Sequence, residues 1–186
     1  MIWKGFGGVV PAPVDLTEAD KALLAKADAL YGLCRTAMDR QAIKSWLDAM
    51  WDVIGEGDRY FASEKPFDKA HSPERKGTIL YVTAEVVRQL AILAQPVMPL
   101  SAAKLLDLLA SGEGSRSFQA LGAGGRLKPG TQLPEPQGVF PRYVDPAAEA
   151  QKKTGGQSAE EQAAAKAAKQ AKKQAAREKP KDKDAS

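Results

Sequence analysis

The side chains that most often perform catalysis are scarce in this sequence. It contains one histidine, His71, one cysteine, Cys34, and no asparagine. Since a Cys/His metal site draws on about three or four such ligands, the sequence predicts no site of that type. We interpret His71 as an exposed loop residue, and Cys34, at helical spacing from Leu30, as a small core residue. The "GAGG" at 122–125 lacks the following helix and the lysine of a phosphate-binding loop, so we interpret it as a flexible turn.

One aromatic residue, Phe67, has no apolar neighbours at helical spacing that could pack over its ring. Phe67 follows Pro66 in the stretch "RYFASEKPFDKAHSPER", residues 59–75. Basic residues stand on both sides of it in the sequence, among them Arg59, Lys65 and Lys69. From these residues alone, the simplest expectation is a loop phenylalanine that folds back on the body of the protein.

Length and composition predict a globular chain. A chain of 186 residues with 44% hydrophobic residues can bury one core of ordinary size. Apolar runs such as "AILA" and "LLDLLA" are much shorter than the roughly 20 residues of a bilayer span. The opening "MIWKGFGGVV" lacks an apolar core of signal-peptide length. We therefore expect a cytoplasmic protein.

The basic residues in excess are concentrated at the C-terminus. Residues 151–186 hold ten Lys/Arg and five Asp/Glu, which leaves 17 and 18 of the totals of 27 and 23 for the rest. This segment has no aromatic residue and no Leu, Ile or Val, so it cannot form a core of its own. Its Ala/Lys stretch predicts a solvated helix that stops before Pro180. Two functions stay open for the tail, solubilisation or sequence-independent contact with phosphates.

Hydrophobic periodicity predicts an all-α helical bundle. Thr17 can cap a first helix, and the pair Ser72-Pro73 can start a third. The predicted elements are helices at about 17–38, 40–64, 73–95 and 101–110, an extended arm at 111–147 and a tail at 148–186. The expected core-facing residues of the first two helices are Leu23, Ala27, Leu30, Cys34, Met38, Ile43, Leu47, Met50, Trp51 and Ile54. The aromatic residues expected to be structural are Trp46, Trp51, Tyr60, Tyr81 and Phe140.

Three quoted stretches carry a family resemblance. In order, they are "WLDAMWDVIGEGDRYFASEKPF", "ILYVTAEVVRQLAILAQPVMPLSAAKLLDLL" and "GVFPRYV". From residue 1 to about residue 147, the chain resembles the C-terminal helical domain of bacterial methionyl-tRNA synthetases. The most specific matches are Pro66-Phe67, the "QPVMP" at 95–99 and the "VFPR" at 139–142.

The resemblance implies a function for the loop aromatic. Members of the family bind the anticodon loop of methionine tRNA, with its CAU anticodon, and usually place a tryptophan after the proline to stack on an unstacked base. Phe67 occupies that place, with Pro66 holding it. Arg59, Lys65 and Lys69 would then meet the flanking phosphates. A phenylalanine offers a smaller stacking surface than tryptophan and lacks the indole donor.

The chain also departs from the family pattern. The nucleotide-binding domain with its His-Ile-Gly-His and Lys-Met-Ser-Lys-Ser motifs is absent, so no ATP or methionine site can be assembled here and no cofactor is expected. Most of the preceding helix, which supplies an Asn and an Arg for base reading, is absent too, and Lys4 is the remaining basic candidate. A catalytic domain in cis or in trans is the implied partner, and Met1 fits an internal methionine of a longer reading frame. The alternative function is a helical module that docks a protein through its C-terminal arm.

Overall fold

The computed structural model describes residues 1–140, and the helical class predicted from the sequence is confirmed for them. The helices are α1 (Ile2–Gly5), α2 (Glu18–Asp39), α3 (Ile43–Glu64), α4 (Pro73–Ala94) and α5 (Pro99–Leu108). Three 3₁₀ turns follow, at Glu113–Ser115, Phe118–Ala120 and Ala123–Gly125. Extended pairing within this part is limited to one antiparallel bridge between Val9 and Gln132. The tail and the end of the arm, with Arg142, lie outside the described residues, and the domain boundary at 147 stays a prediction.

Side-chain caps explain where two of the long helices begin. Thr17 and Asp20 form a capping box at the start of α2: the Thr17 hydroxyl accepts from the Asp20 N–H at 3.4 Å, and the Thr17 N–H donates to the Asp20 carboxylate at 2.8 Å. At the start of α4, the Ser72 hydroxyl accepts from the Arg75 N–H at 3.2 Å, and Pro73 takes the first helical position. Both starts lie within one residue of the predicted ones.

Helix α4 forms the centre of the bundle. It contacts α2, α3 and α5, and 15 of its 22 residues are buried. The helix is long and apolar enough to span a membrane, but 83% of the relevant window is buried inside the protein. Its composition is therefore accounted for by its place in the core.

The predicted core face of α3 is wrong in part. The buried residues of α3 are Trp46, Met50, Val53 and Tyr60. Ile43, Leu47 and Trp51 were expected in the core but are exposed, Trp51 by 66%. Apolar residues stand on both sides of this helix, so spacing alone did not decide which face packs against α2 and α4.

Met38, expected in the core, and Phe140, expected to be structural, are exposed as well. Met38 and Ile43 line an apolar groove of about 580 Å³ at the end of the bundle where α2 ends and α3 begins. Cys34, also at this groove, is buried as expected, and burial raises the pKa of its thiol. A raised thiol pKa means less thiolate, which agrees with a packing role.

After α5, the arm lies against α4 and is held largely by side chains of that helix. The Arg88 Nη1 donates to the carbonyl of Ala120 at 3.0 Å, and the Tyr81 hydroxyl donates to the carbonyl of Leu127 at 3.0 Å. The N–H of Leu127 donates to the Glu85 carboxylate at 2.9 Å. These bonds satisfy backbone groups of the arm that have no helix or sheet partner.

An ionic network with a buried centre, here called the arm network, joins α2, α4 and the arm. It consists of Asp28, Glu85, Arg88, Gln89 and Arg126. Glu85 and Arg88 are paired at 2.7 Å, with side chains that are 0% and 1% exposed. Asp28 accepts from Gln89 at 2.8 Å and from Arg126 at 2.6 Å.

Candidate nucleic-acid interface

The predicted stacking residue lies in a short, well-defined loop. The Phe67 loop, residues 65–72, connects α3 to α4. Pro66 is buried, whereas Phe67 is 65% exposed, so the ring does not fold back on the bundle. The N–H of Asp68 donates to the carbonyl of Lys65 at 2.8 Å, which closes a turn with the ring at its tip. The Asp68 carboxylate accepts from the N–H of Ala70 at 3.0 Å, and this bond lowers the pKa of Asp68.

The backbone at the start of the loop has an uncommon conformation. Lys65 caps α3 with a φ of 43°, in the left-handed region. Its N–H still donates to the carbonyl of Phe61 at 3.1 Å. The helix therefore ends sharply at Lys65, and the chain turns into the buried proline and the exposed ring.

A second ionic network, the loop network, holds both ends of this loop. It consists of Asp20, Tyr60, Glu64 and Arg75. Arg75 Nη1 and Nη2 donate to the two oxygens of Asp20 at 2.5 and 3.1 Å, and Nη2 also donates to Glu64 at 2.6 Å. The Tyr60 hydroxyl donates to Asp20 at 2.6 Å. Glu64 directly precedes the loop and Arg75 stands three residues after it, so Arg75 ties the two ends together.

Burial, hydrogen bonds and charge within the loop network favour one protonation state for each of Asp20, Tyr60 and Arg75. Burial of the Asp20 carboxyl acts to raise its pKa, but hydrogen bonds from Arg75, Tyr60 and the Thr17 N–H outweigh that effect and lower the pKa. The hydrogen bond to Asp20 is the main cause that raises the pKa of Arg75. Burial and the Asp20 charge raise the pKa of the Tyr60 phenol. Asp20 is therefore a carboxylate, Arg75 a cation and Tyr60 a neutral donor.

Of the predicted basic residues, Lys65 and Lys69 lie within the Phe67 loop and Arg59 lies outside it. Lys65 and Lys69 are exposed within the Phe67 loop and form no ion pair with any residue from 1 to 140. Arg59 lies on α3 outside the loop and pairs with Glu56 at 2.6 Å, in a surface group that also includes Lys26. The loop therefore brings Lys65, Pro66, Phe67 and Lys69 together and leaves Arg59 apart.

Lys4 lies on α1, outside the Phe67 loop. It is exposed on α1, two residues before Phe6. A Cβ atom built on Gly77 would lie 3.3 Å from Phe6, so the segment after α1 packs closely on the second turn of α4. The Phe67 loop leads directly into that same helix.

The positioning residues Asp20 and Arg75 were not predicted from the sequence as part of the site. Asp20 was recognised for its place in the first turn of α2, but its bond to Arg75 spans 55 residues. No local spacing signals a partner at that separation. His71, predicted to be an exposed loop residue, is half-buried at the end of the loop.

Comparison with known proteins gives one consistent family. The family model described as the anticodon binding domain of methionyl tRNA ligase matches residues 10–159. The methionine–tRNA ligase of Rhizobium meliloti is 53% identical over 149 residues, covering 80% of this chain and 29% of the relative. That of Mycobacterium leprae is 48% identical over 148 residues, covering 77% and 27%.

Solved structures agree with this result. The apo form of Mycobacterium tuberculosis methionyl-tRNA synthetase matches with a TM-score of 0.73 and 46% identity, over 78% of this chain and 30% of that one. The same enzyme in complex with methionyl-adenylate matches with a TM-score of 0.73 and 48% identity, over 76% and 28%. The chain spans less than a third of the length of these proteins.

Proposed function

Because this chain belongs to the family of anticodon-binding domains of methionyl-tRNA ligases, we propose that it binds the CAU anticodon loop of methionine tRNA. The observation that carries the proposal is the exposed Phe67 ring, held at the tip of a loop whose two ends are joined by Arg75. A ring fixed before binding can stack on an unpaired base without a further ordering cost.

The exposed lysines complete the proposed contact. Lys65 and Lys69 flank the ring within the loop and meet the phosphates on either side of the stacked base. Lys4, exposed on α1, is proposed as a third cation. Arg59 contributes only when it leaves Glu56, so we assign it a smaller share of the affinity.

The larger activity belongs to a complete ligase. We propose that the chain acts with a catalytic domain, in cis or in trans, that binds ATP and methionine and joins the amino acid to its tRNA. The high identity to ligases of which this chain spans less than a third supports this partner. Protein synthesis in the cytoplasm is the process proposed for the whole enzyme.

Substitution of Phe67 tests the proposal directly. Base stacking on an aromatic side chain is worth about 1–3 kcal/mol, so Phe67→Ala should weaken binding to a CAU anticodon hairpin by roughly tenfold or more. Phe67→Trp should restore or improve the affinity. The measurement is a titration of each variant with CAU and scrambled-loop hairpins at one salt concentration, together with a melting curve.

Trp51 provides the matched control, because it is exposed to the same degree on α3 outside the loop. Trp51→Ala should leave hairpin affinity unchanged. Equal affinities for wild type, Phe67→Ala and Phe67→Trp would remove the ring from the site and favour the alternative of a protein-docking module. A large fall in melting temperature for Phe67→Ala would assign the ring to the core.

A further inference from the structure

In the Phe67 loop, an acidic residue directly follows the exposed ring. Asp68 is itself exposed and stands between Phe67 and Lys69. Lys65 and Lys69 are the proposed phosphate contacts, and a carboxylate in the same loop repels those phosphates. The charge of Asp68 therefore opposes RNA affinity, and contact with phosphates does not account for it.

Two hydrogen bonds hold Asp68 in a defined position. Its N–H donates to the carbonyl of Lys65 at 2.8 Å and closes the turn that carries Phe67. Its Oδ1 accepts from the N–H of Ala70 at 3.0 Å. The first bond fixes the backbone of Asp68 and the second fixes its side chain, so the carboxylate is ordered before any ligand arrives.

The Asp68 carboxylate is ionised and keeps one oxygen for a ligand. The bond from Ala70 lowers its pKa, and the charges of His71, Lys65 and Lys76 act in the same direction. Despite these neighbours, Asp68 forms no ion pair with any residue from 1 to 140. Because the bond from Ala70 uses Oδ1, Oδ2 is the oxygen that can accept a further bond.

The position of Asp68 beside the ring determines which partner Oδ2 can meet. Successive Cα atoms are about 3.8 Å apart, so the carboxylate and the Phe67 ring are attached to neighbouring points of the loop tip. A base stacked on an aromatic ring is read along its edge. An ionised carboxylate only accepts hydrogen bonds, so it can bond the amino group of cytosine or adenine. It repels the carbonyl oxygen that uracil or guanine carries in the corresponding place.

We propose that Asp68 is a specificity-determining residue, whose Oδ2 selects an amino-bearing base, cytosine or adenine, for the place on Phe67. This inference rests on the proposed binding of the anticodon by Phe67 and adds a base preference to it. The CAU anticodon offers both amino-bearing bases. Stacking accepts every base, so a preference at this place has to come from a polar neighbour of the ring.

Asp68→Asn in the full chain tests the role of Oδ2. The asparagine carbonyl can keep the bond from Ala70, while its amino group puts a donor where Oδ2 was. The measurement is a titration at one salt concentration with hairpins that carry CAU, UAU or CGU, together with a melting curve for each protein. Wild type should prefer CAU by about fivefold or more over the hairpin in which the stacked base has lost its amino group. Asp68→Asn should abolish or invert that ratio.

Asp58→Asn is the matched control, because Asp58 is also exposed but lies on α3 outside the loop. It removes the same charge and should leave both ratios at their wild-type values. If Asp58→Asn changes the ratio as much as Asp68→Asn does, net charge sets the preference and the inference is overturned.

The Phe67→Ala variant separates failure of this inference from failure of the proposed function. If Phe67→Ala weakens binding to the CAU hairpin while Asp68→Asn keeps the wild-type ratios, anticodon binding stands and the role of Asp68 is refuted. If wild type and Phe67→Ala bind the CAU hairpin equally, the proposed function fails and this inference fails with it.

Discussion

Helix α4 takes part in two ionic networks, and their surroundings differ. The arm network has at its centre the pair Glu85 and Arg88, closed off from solvent, with backbone groups of the arm as further partners. The loop network has Arg75 at its centre, 19% exposed, and joins side chains from the ends of three helices. One network supplies backbone groups of the arm with the partners that a long helix or a sheet would give them. The other fixes the geometry of a loop that carries an exposed ring.

Removing Arg88 should give the largest effect on stability. Arg88→Met leaves Glu85 buried without its counter-charge and should lower the free energy of unfolding by about 3–5 kcal/mol, measured by urea denaturation. The double variant Glu85→Gln/Arg88→Met should recover at least half of that loss, since no unpaired charge remains. A loss below about 1 kcal/mol for the single variant would show that solvent reaches Glu85.

Removing Arg75 should lower the stability less than removing Arg88 does, and it should weaken hairpin binding more. Asp20 keeps its bonds from Tyr60 and from the Thr17 N–H in Arg75→Met, so we expect a decrease of about 2–3 kcal/mol in the free energy of unfolding. Hairpin affinity should fall along with it, because Glu64 and Asp20 no longer tie the loop. Arg88→Met, measured under conditions where it is folded, should keep its hairpin affinity. The opposite pattern would mean that the loop holds its shape without Arg75.

The loop network should also make the bundle sensitive to acid. The pKa of Asp20 is lowered from its ordinary value of 3.8 on folding, so its contribution is complete above that value and is lost as the pH falls through the depressed one. Asp20→Asn should flatten the dependence of unfolding free energy on pH below about 4 relative to wild type. Parallel curves for the two proteins would locate the acid sensitivity in other carboxylates.

Much of this architecture could be predicted because it depends on local signals. The caps at Thr17 and Ser72 and the end of α3 before Pro66 depend on residues a few positions apart. The exposed position of Phe67 followed from the family resemblance, since its sequence neighbours alone favoured a ring that folds back on the protein. Both networks escaped prediction because the bonds that join separate elements link residues distant in sequence: Asp28 and Arg126 are 98 residues apart. The exposed face of α3 was assigned wrongly because tertiary packing, not periodicity, selects between two apolar faces.

Deleting the basic tail should produce the smallest of these effects. The deletion should not change the stability of either ionic network. Deleting residues 151–186 should flatten the salt dependence of hairpin binding, because its lysines release counterions from any phosphate backbone. Selectivity for the CAU hairpin over a scrambled loop should stay the same. A change in that selectivity would show that the tail reads sequence.

The arrangement of the arm network has a consequence for the order in which the chain folds as it leaves the ribosome. Glu85 and Arg88 are one turn apart on α4, so they can pair as soon as that helix forms, while water still surrounds them. The arm residues that cover them, Ala120 and Leu127, are synthesised some 30 to 40 residues later. The covering segment thus arrives at a pair that is already neutralised, so covering Glu85 and Arg88 does not bury a lone charge.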